Sequence, residues 1–417
     1  MEELRLSRRE PAKGQGWLQP PGFDIQRKVM TIITDTAELV RFCDGQRGTS
    51  FVAVDTEFMR ERTYWPILCL VQVAGPTEAA AIDALAPGID LTPLLALMAN
   101  KSILKVFHAA RQDVEIFVNL ADRVPAPLFD TQVAAMVCGF GDAASYETLV
   151  AKLAQASLDK SSRFTDWAHR PLTERQIHYA LADVVHLRTV YERLQQRLAS
   201  NGRAGWFAEE MAGLADPATY RSDPSEAWRR FRLRGRVDPR FFGVLREVAA
   251  WRETAARQRN LPRGRIIRDE AVLEIAAHTP KTIEALARSR GLGKGFAEGK
   301  LGGEILDAVR RGLANSQALQ PPAPARADTP PGLGPLIELL RVLLKQSCEA
   351  HQVAQKLVAT TEDLEAIAVD DQAAVPALSG WRYEIFGKDA LALKHGRLAL
   401  TVRRNRIALV EVADPGQ

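Results

Sequence analysis

Five side chains that could handle divalent cations lie in three short segments of this 417-residue chain. Asp55 and Glu57 end an apolar run, and strand alternation would point both carboxylates to the same side. Asp113 lies at a predicted strand–helix junction, while the i, i+4 spacing of Tyr179 and Asp183 places them on one face of a predicted helix. Neighbouring carboxylates repel each other unless a cation neutralises them, and all-oxygen ligation suits Mg²⁺ or Mn²⁺ rather than Zn²⁺. Together the segments indicate a divalent-metal site.

Each segment also has a simpler structural explanation. Asp55 and Glu57 could be turn acids after an ordinary strand, and Asp113 could interact favourably with a helix N-terminus. Tyr179 and Asp183 could form a hydrogen bond on a helix surface. The segments therefore gain weight only in combination and in this order along the chain.

The elements that must position these residues follow a regular pattern from residue 50 onwards. Apolar, β-branched runs predict strands, and apolar residues at helical spacing with polar caps predict helices. Strands are expected at 50–58, 67–74, 79–85, 103–108 and 128–132. Helices are expected at 93–99, 113–120, 147–154 and 173–200. Three adjacent strands followed by strand–helix alternation predict an α/β fold, with a mixed sheet and flanking helices.

The rest of the chain is organised differently. Residues 217–315 are predicted to form short helices and carry 21 Lys and Arg against 12 Asp and Glu, a net charge of +9, whereas residues 30–200 carry −4. A basic segment of this kind indicates a polyanionic partner. Residues 316–335 contain six prolines and are expected to form a linker. Beyond them, residues 336–417 are predicted to contain helices and then a small β-ribbon, with strands at 391–393, 397–402 and 407–412.

Length and composition exclude several classes of protein. The length predicts two to four domains at roughly 100–200 residues each. A hydrophobic content of 46% with 25% charged residues is ordinary for globular proteins and excludes a wholly disordered chain. No apolar run approaches the roughly 18 residues of a spanning helix, so no membrane partner is expected. Residues 1–29 lack an apolar signal segment, which favours a cytoplasmic location, and are interpreted as a disordered tail or a misassigned start.

Several segments together resemble the ribonuclease D family, a member of the tyrosine subclass of the DEDD 3′–5′ exonucleases. They are DTEFMRERTYWP at 55–66, KVFHAARQDVEIF at 105–117, FDTQ at 129–132, LDKS at 158–161, TDW at 165–167 and RPLTERQ at 170–176. The resemblance is dense over 30–200. Residues 217–315 are similar to the HRDC domain that follows the nuclease in this family, and 336–417 to a further, HRDC-like domain. The resemblance implies a ribonuclease H-like exonuclease fold followed by all-α HRDC-type domains.

The same resemblance implies a role for each motif residue. Asp55, Glu57 and Asp183 would hold one of two divalent ions, Mg²⁺ or Mn²⁺, with Asp55 shared between them, and Asp113 would help to hold the second. Tyr179 would orient the attacking water. The implied activity is 3′–5′ exoribonuclease action on precursor tRNA and other structured RNAs with single-stranded 3′ tails, which releases nucleoside 5′-monophosphates.

The sequence also suggests substrate contacts and leaves competing functions open. Phe58, Arg60, His108 and Arg163 are predicted to contact RNA, although Phe58 could equally pack in the core and His108 could be an internally satisfied histidine. A DNA-directed exonuclease would use the same chemistry, but no polymerase or helicase motor accompanies the nuclease segment. A non-catalytic RNA-binding protein is the third alternative, yet such a protein usually loses one of the five metal and water positions, and all five are present here. The protein is expected to act as a monomer.

Overall fold

A six-stranded mixed sheet forms the centre of the N-terminal domain. The structure is a computed structural model that describes residues 29–159, 165–233, 237–317, 330 and 332–412. The strands are β1 (Val29–Ile33), β2 (Phe51–Met59), β3 (Ile67–Ala74), β4 (Glu78–Asp83), β5 (Leu104–Phe107) and β6 (Leu128–Asp130). Their order across the sheet is β1-β4-β3-β2-β5-β6. β3 runs antiparallel to both of its neighbours, and the other pairs are parallel.

Helices cover both faces of this sheet. They are α1 (Thr36–Gly45), α2 (Thr92–Ala99), α3 (Arg111–Ala121), α4 (Thr131–Val137), α5 (Tyr146–Leu149), α6 (Glu174–Ser200) and α7 (Ala204–Ala215), with a π-helical turn at Val150–Ala154 after α5. Along β2, Phe51 and Ala53 face the core that contains α6, while Val52 and Val54 face the core that contains α1, α2 and α3. This mixed sheet with flanking helices confirms the expected fold class.

Three details differ from the sequence-based expectation. β1 and α1 are additional elements, and β1 begins at Val29, one residue inside the predicted tail, the rest of which lies outside the described residues. The predicted linker at 316–335 also falls mostly outside them, and a helix begins at its end, at Gly334. The predicted strand at 391–393 is wrong, because these residues belong to a helix.

The second domain, here the helical domain, spans residues 224–317. It begins with a 3-10 helix at Pro224–Arg230 and continues with α8 (Pro239–Arg259), α9 (Arg263–Ile266), α10 (Asp269–His278), α11 (Ile283–Leu286), α12 (Lys294–Ala297) and α13 (Lys300–Asn315). α8 and α13 approach closely because each has a glycine at the crossing. A Cβ added at Gly312 would lie 2.6 Å from Val244 Cα, and one added at Gly243 would lie 2.4 Å from the Gly312 carbonyl oxygen.

The third domain, here the C-terminal domain, spans residues 332–412. Its helices are α14 (Gly334–His351), α15 (Gln355–Val358), α16 (Thr361–Val369), α17 (Gly380–Arg382) and α18 (Lys388–Lys394), with a 3-10 turn at Pro376–Leu378 and a π-helical turn at Tyr383–Gly387. An antiparallel hairpin of β7 (Leu398–Arg403) and β8 (Arg406–Glu411) follows, so two of the three predicted ribbon strands are present.

Both later domains pack against the N-terminal domain. On the side of the C-terminal domain, Trp206 of α7 stacks on Trp381 with ring centroids 4.4 Å apart, and Arg203 donates hydrogen bonds to the carbonyl oxygens of Val137 and Gln352. On the side of the helical domain, the loop between β2 and β3 inserts Tyr64 beside α8 and α9. None of the helices in the described ranges is sufficiently long and apolar to cross a membrane.

Candidate active site

Two acidic residues of the candidate site lie on the central strand β2. Asp55 and Glu57 continue the alternation of Phe51 and Ala53, so their side chains project from the face that α6 covers. Thr56, between them, donates a hydrogen bond from its hydroxyl to Asp113 Oδ1 at 2.5 Å. The strand thus presents two carboxylates and fixes a third, which belongs to α3.

Helix α6 supplies the other two residues of the predicted constellation. It begins with a capping box, in which the Thr173 hydroxyl accepts from the Gln176 backbone N–H and the Gln176 side chain accepts from the Thr173 backbone N–H. This cap fixes the helix start shortly before Tyr179 and Asp183. The Tyr179 hydroxyl hydrogen-bonds to the Asp183 carboxylate. The expected i, i+4 arrangement is therefore present, and it faces β2 rather than solvent.

Burial raises the pKa values of all four carboxylates, and the charge of Asp55 raises those of the other three further. Burial raises the pKa of Asp55 to about 6, although the Thr56 backbone N–H opposes this change. Burial, followed by the charges of Asp55, Asp183 and Asp113, raises the pKa of Glu57 to about 9. For Asp183, burial and the charge of Asp55 raise the pKa to about 8, against the Tyr179 hydrogen bond. Burial and the Asp55 charge also raise the pKa of Asp113 well above its ordinary value. Such a cluster needs a nearby positive charge before all four carboxylates can be ionised near neutral pH.

The chemistry of these residues fits divalent cations. Four carboxylates that cannot all ionise alone would all ionise beside two such ions, and carboxylate oxygens are the ligands that Mg²⁺ and Mn²⁺ prefer. Within the described residues, however, no group of three or more His, Cys, Asp or Glu side chains is arranged such that it could hold a metal ion as it stands. The side chains present therefore have the ligand type and the charge that divalent cations require, but the structure does not place them in a coordination geometry.

Part of this constellation opens into a cleft of about 230 Å³ between β2, α5 and α6. The lining residues are Asp55, His108, Ser145, Tyr146, Glu147, Leu158, Asp159, Tyr179, Asp183 and Leu187. The cleft thus combines the acids of the strand and helix with one histidine and two tyrosines.

Tyr146 is a residue of this cleft that the sequence analysis missed. Its hydroxyl donates a hydrogen bond to the Asp183 backbone carbonyl, and its ring centroid lies 5.2 Å from that of His108. Burial, followed by the charges of Asp183, Asp55 and Tyr179, raises the pKa of Tyr146 well above its ordinary value. The available sequence signal was Ser145, which caps α5 directly before it, but capping alone does not indicate a functional site.

The predicted substrate contacts occupy different environments. His108 lines the cleft. Arg60 lies outside it and donates two hydrogen bonds of 2.8 Å to the Glu115 carboxylate of α3. Phe58 packs against the core on the opposite face from α6, as the alternative core-packing role requires. Arg163 lies outside the described residues.

The arginines of the helical domain divide into exposed and internally paired groups. Arg252 is buried and bonds Asp269 at 2.6 Å, while Arg257 and Arg263 contact Glu253 and the Tyr64 hydroxyl. The exposed ones are Arg229, Arg230, Arg232, Arg240, Arg259, Arg265, Arg268, Arg288, Arg290, Arg310 and Arg311. The aromatic residues among them, such as Trp228 and Phe242, belong to the helical core. Trp228 and Phe242 are therefore not available to stack on a ligand.

Two family models match segments of the chain. Residues 30–199 match the family model of the 3′–5′ exonuclease, and residues 241–309 match that of the HRDC domain. The chain is 51% identical to a ribonuclease D from Gluconacetobacter diazotrophicus, over 90% of this chain and 95% of the relative. It is 50% identical to a ribonuclease D from Nitrobacter hamburgensis, over 92% of this chain and 100% of the relative.

Solved structures show the same similarity. The crystal structure of Escherichia coli RNase D, described as an exoribonuclease involved in structured RNA processing, matches with a TM-score of 0.72 and 29% identity. The match covers 88% of this chain and 98% of that one. The catalytic core of RRP6 from Trypanosoma brucei matches with a TM-score of 0.52 and 23% identity, over 72% of this chain and 83% of that one, which concerns the fold alone.

Proposed function

Because this chain belongs to the ribonuclease D family and is a 3′–5′ exoribonuclease, we propose that Asp55, Glu57, Asp113, Tyr179 and Asp183 are its catalytic residues. The observation that carries this assignment is a buried cluster of four carboxylates beside a tyrosine hydroxyl, in which the charge of Asp55 raises the pKa values of the other three. We also propose that the enzyme trims the 3′ ends of precursor tRNA and other structured RNAs. This substrate class follows that of the Escherichia coli relative, which takes part in structured RNA processing.

The proposed division of labour follows from the position of each group. Two divalent ions, Mg²⁺ or Mn²⁺, would supply the positive charge that favours water ionisation and departure of the 3′ oxygen. Asp55, Glu57 and Asp183 would hold one ion, with Asp55 shared, and Asp113 would help to hold the other. The Tyr179 hydroxyl, which already bonds Asp183, would orient the attacking water. The product of each cycle would be a nucleoside 5′-monophosphate.

The proposed substrate path adds the charge of the helical domain to this site. The N-terminal domain carries a net charge of −4 over residues 30–200, which disfavours RNA, whereas residues 217–315 carry +9. The exposed arginines of the helical domain would neutralise backbone phosphates and release counterions, giving affinity without sequence preference. We propose that they hold the body of the RNA while its single-stranded 3′ tail enters the cleft. A monomer suffices for this arrangement.

The test is a digestion of 3′-extended tRNA with Mg²⁺ or Mn²⁺ by wild type, Asp55→Asn and the matched control Asp44→Asn, which changes an exposed aspartate of α1. Wild type and Asp44→Asn should release mononucleotides stepwise, while Asp55→Asn and an EDTA-treated sample should not. Cleavage that persists in EDTA would contradict the metal-dependent mechanism. A deoxyoligonucleotide of the same sequence distinguishes the DNA-directed alternative, which predicts equal or faster digestion of DNA.

A further inference from the structure

The neighbours of His108, which lines the cleft, determine which of its ring nitrogens carries the proton. Its Nδ1 lies 3.0 Å from the Thr131 hydroxyl oxygen, and that oxygen lies 3.0 Å from the Phe107 backbone carbonyl oxygen. Thr131 is fully buried, so its hydroxyl cannot form a hydrogen bond with bulk water. A carbonyl oxygen can only accept, so the single Thr131 proton goes to Phe107. The Thr131 oxygen must then accept from His108, which places the imidazole proton on Nδ1.

This proton arrangement leaves a lone pair on His108 Nε2, in a residue that lines the cleft. Burial lowers the pKa of His108 to about 4, so the ring is neutral near pH 7 and carries only the proton on Nδ1. Within the described part of the chain, Nε2 takes part in no hydrogen bond. The imidazole is therefore fixed as a hydrogen-bond acceptor that faces the cleft.

The neighbouring groups of the cleft cannot supply the missing donor. Asp55 and Asp183 accept hydrogen bonds once ionised, and the hydroxyls of Tyr146 and Tyr179 are both used on Asp183. The Ser145 hydroxyl also lines the cleft, and it pairs with the Thr148 side chain. A bound substrate can supply the donor. A phosphodiester carries no proton to donate, and the N–H groups of a base differ from one nucleotide to the next. The 3′- and 2′-hydroxyls of a terminal ribonucleotide can both donate, and the 2′-hydroxyl is the one that every deoxyribonucleotide lacks.

We infer that His108 Nε2 accepts a hydrogen bond from the 2′-hydroxyl of the nucleotide in the cleft, and that His108 thereby selects RNA over DNA. This inference rests on the proposed function, because it assumes that the terminal nucleotide occupies this cleft. Thr131 is in this scheme a positioning residue, since it acts only by fixing the His108 tautomer. The selection would come from binding chemistry, separate from the carboxylates that carry the reaction.

The experiment compares two oligoribonucleotides that differ only in a 2′-deoxy sugar at the 3′-terminal nucleotide. The wild type should prefer the all-ribose substrate in kcat/KM by roughly 2- to 10-fold, the range expected for one neutral hydrogen bond. His108→Phe keeps a ring without either nitrogen, and its preference should fall towards 1 because the loss is larger on the ribose substrate. Thr131→Val frees the tautomer and should lower the preference in part, whereas Thr131→Ser should retain it.

The outcomes separate this inference from the proposed function. Equal losses on both substrates in His108→Phe and an unaltered preference in Thr131→Val would overturn the role of His108 while leaving the nuclease assignment intact. If His108→Phe does not fold, as judged by circular dichroism, Thr131→Val against Thr131→Ser decides alone. A wild type that degrades neither substrate with Mg²⁺ or Mn²⁺ would instead remove the proposed function.

Discussion

Replacing Glu253 by glutamine should loosen the helical domain from the loop that follows the catalytic strand. Glu253 lies on α8 with its side chain only 3% exposed, and it accepts from Arg263 at 2.5 and 2.7 Å and from the Tyr64 hydroxyl. Arg257 approaches the same carboxylate at 3.4 Å. The adjoining Asn260 side chain accepts from the backbone N–H groups of Tyr64 and the residue after it, so the loop is bound at two points.

The pKa of Glu253 indicates how much free energy its ionised side chain contributes to the folded state. Burial alone would raise this pKa, but hydrogen bonds from Arg263 and Tyr64, with the charges of Arg263 and Arg257, outweigh burial and lower it from 4.5 to about 2. At 1.36 kcal/mol per pKa unit this corresponds to about 3 kcal/mol of stabilisation in the ionised state. Because the two arginines are 27% and 23% exposed, solvent screens part of this, and about 2 kcal/mol is the expected loss.

The sign of the pH dependence follows from the lowered pKa. A carboxyl group with a lower pKa in the folded state stabilises it fully above pH 4.5, and this contribution is lost as the pH falls towards 2. Wild type and Glu253→Gln should therefore differ most at neutral pH and converge at strongly acidic pH. The matched control is Glu298→Gln, which makes the same chemical change at an exposed position of the helical domain.

Native-state hydrogen exchange of the α8 amides is the suitable assay, because a chain with several cores has no single free energy of unfolding. Opening of α8 should become easier by about 2 kcal/mol in Glu253→Gln and by less than 0.5 kcal/mol in Glu298→Gln at pH 7. A loss below 0.5 kcal/mol in Glu253→Gln, or a loss that stays the same near pH 2.5, would refute the reasoning. The first result would mean that the ion pairs of Glu253 only offset the cost of their desolvation, and the second that the stabilisation does not depend on ionisation of Glu253.

Further predictions concern metal binding, water positioning, RNA capture and packing. Because three site carboxylates have pKa values raised to about 6, 8 and 9, Mg²⁺ binding should release protons at pH 7 and tighten as pH rises, as measured by calorimetry in buffers of different ionisation enthalpy. Tyr179→Phe should lower kcat by about 100-fold while changing Mg²⁺ affinity far less, since a misplaced water costs rate rather than metal ligands. Arg265→Ala with Arg268→Ala should reduce the slope of log affinity against log salt by about 1.4 if each contacts one phosphate of single-stranded RNA, with equal slopes contradicting that role. Gly312→Ala should destabilise the helical domain by roughly 1–3 kcal/mol, because its Cβ meets backbone atoms of Val244 and Gly243 that cannot move aside, and unchanged hydrogen exchange in α13 would contradict this.

The positions of the candidate acids were predictable because they follow local periodicity. Asp55 and Glu57 obey strand alternation, and Tyr179 and Asp183 obey helical spacing, so sequence alone brings each pair to one side. The cleft partners were not predictable in the same way. Tyr146 reaches Asp183 only because α5 packs beside α6, and Thr131 fixes His108 only because β5 and β6 are neighbours.

The wrong strand prediction has a physical reason of the same kind. Residues 388–394, with the sequence KDALALK, place bulky Leu side chains two positions apart as a strand would, but Ala, Leu and Lys are strong helix formers. In the folded chain Ala390 and Leu393 pack into the core of the C-terminal domain, and this helical spacing decides the outcome. The alternation that correctly identified β7 and β8 thus failed where tertiary packing favoured the other period.

The network around Glu253 also changes how the basic charge of the helical domain should be understood. A flexibly attached basic domain would raise the local RNA concentration without directing the 3′ end. Here Tyr64 joins α8 to the loop after β2, and Arg60 of the same loop pairs with Glu115, two residues beyond Asp113 on α3. RNA held by the exposed arginines would therefore be held at a fixed distance from the carboxylates. The arginines that bind Glu253 and Tyr64 are engaged inside the protein, and they help to fix where the exposed arginines of the helical domain lie.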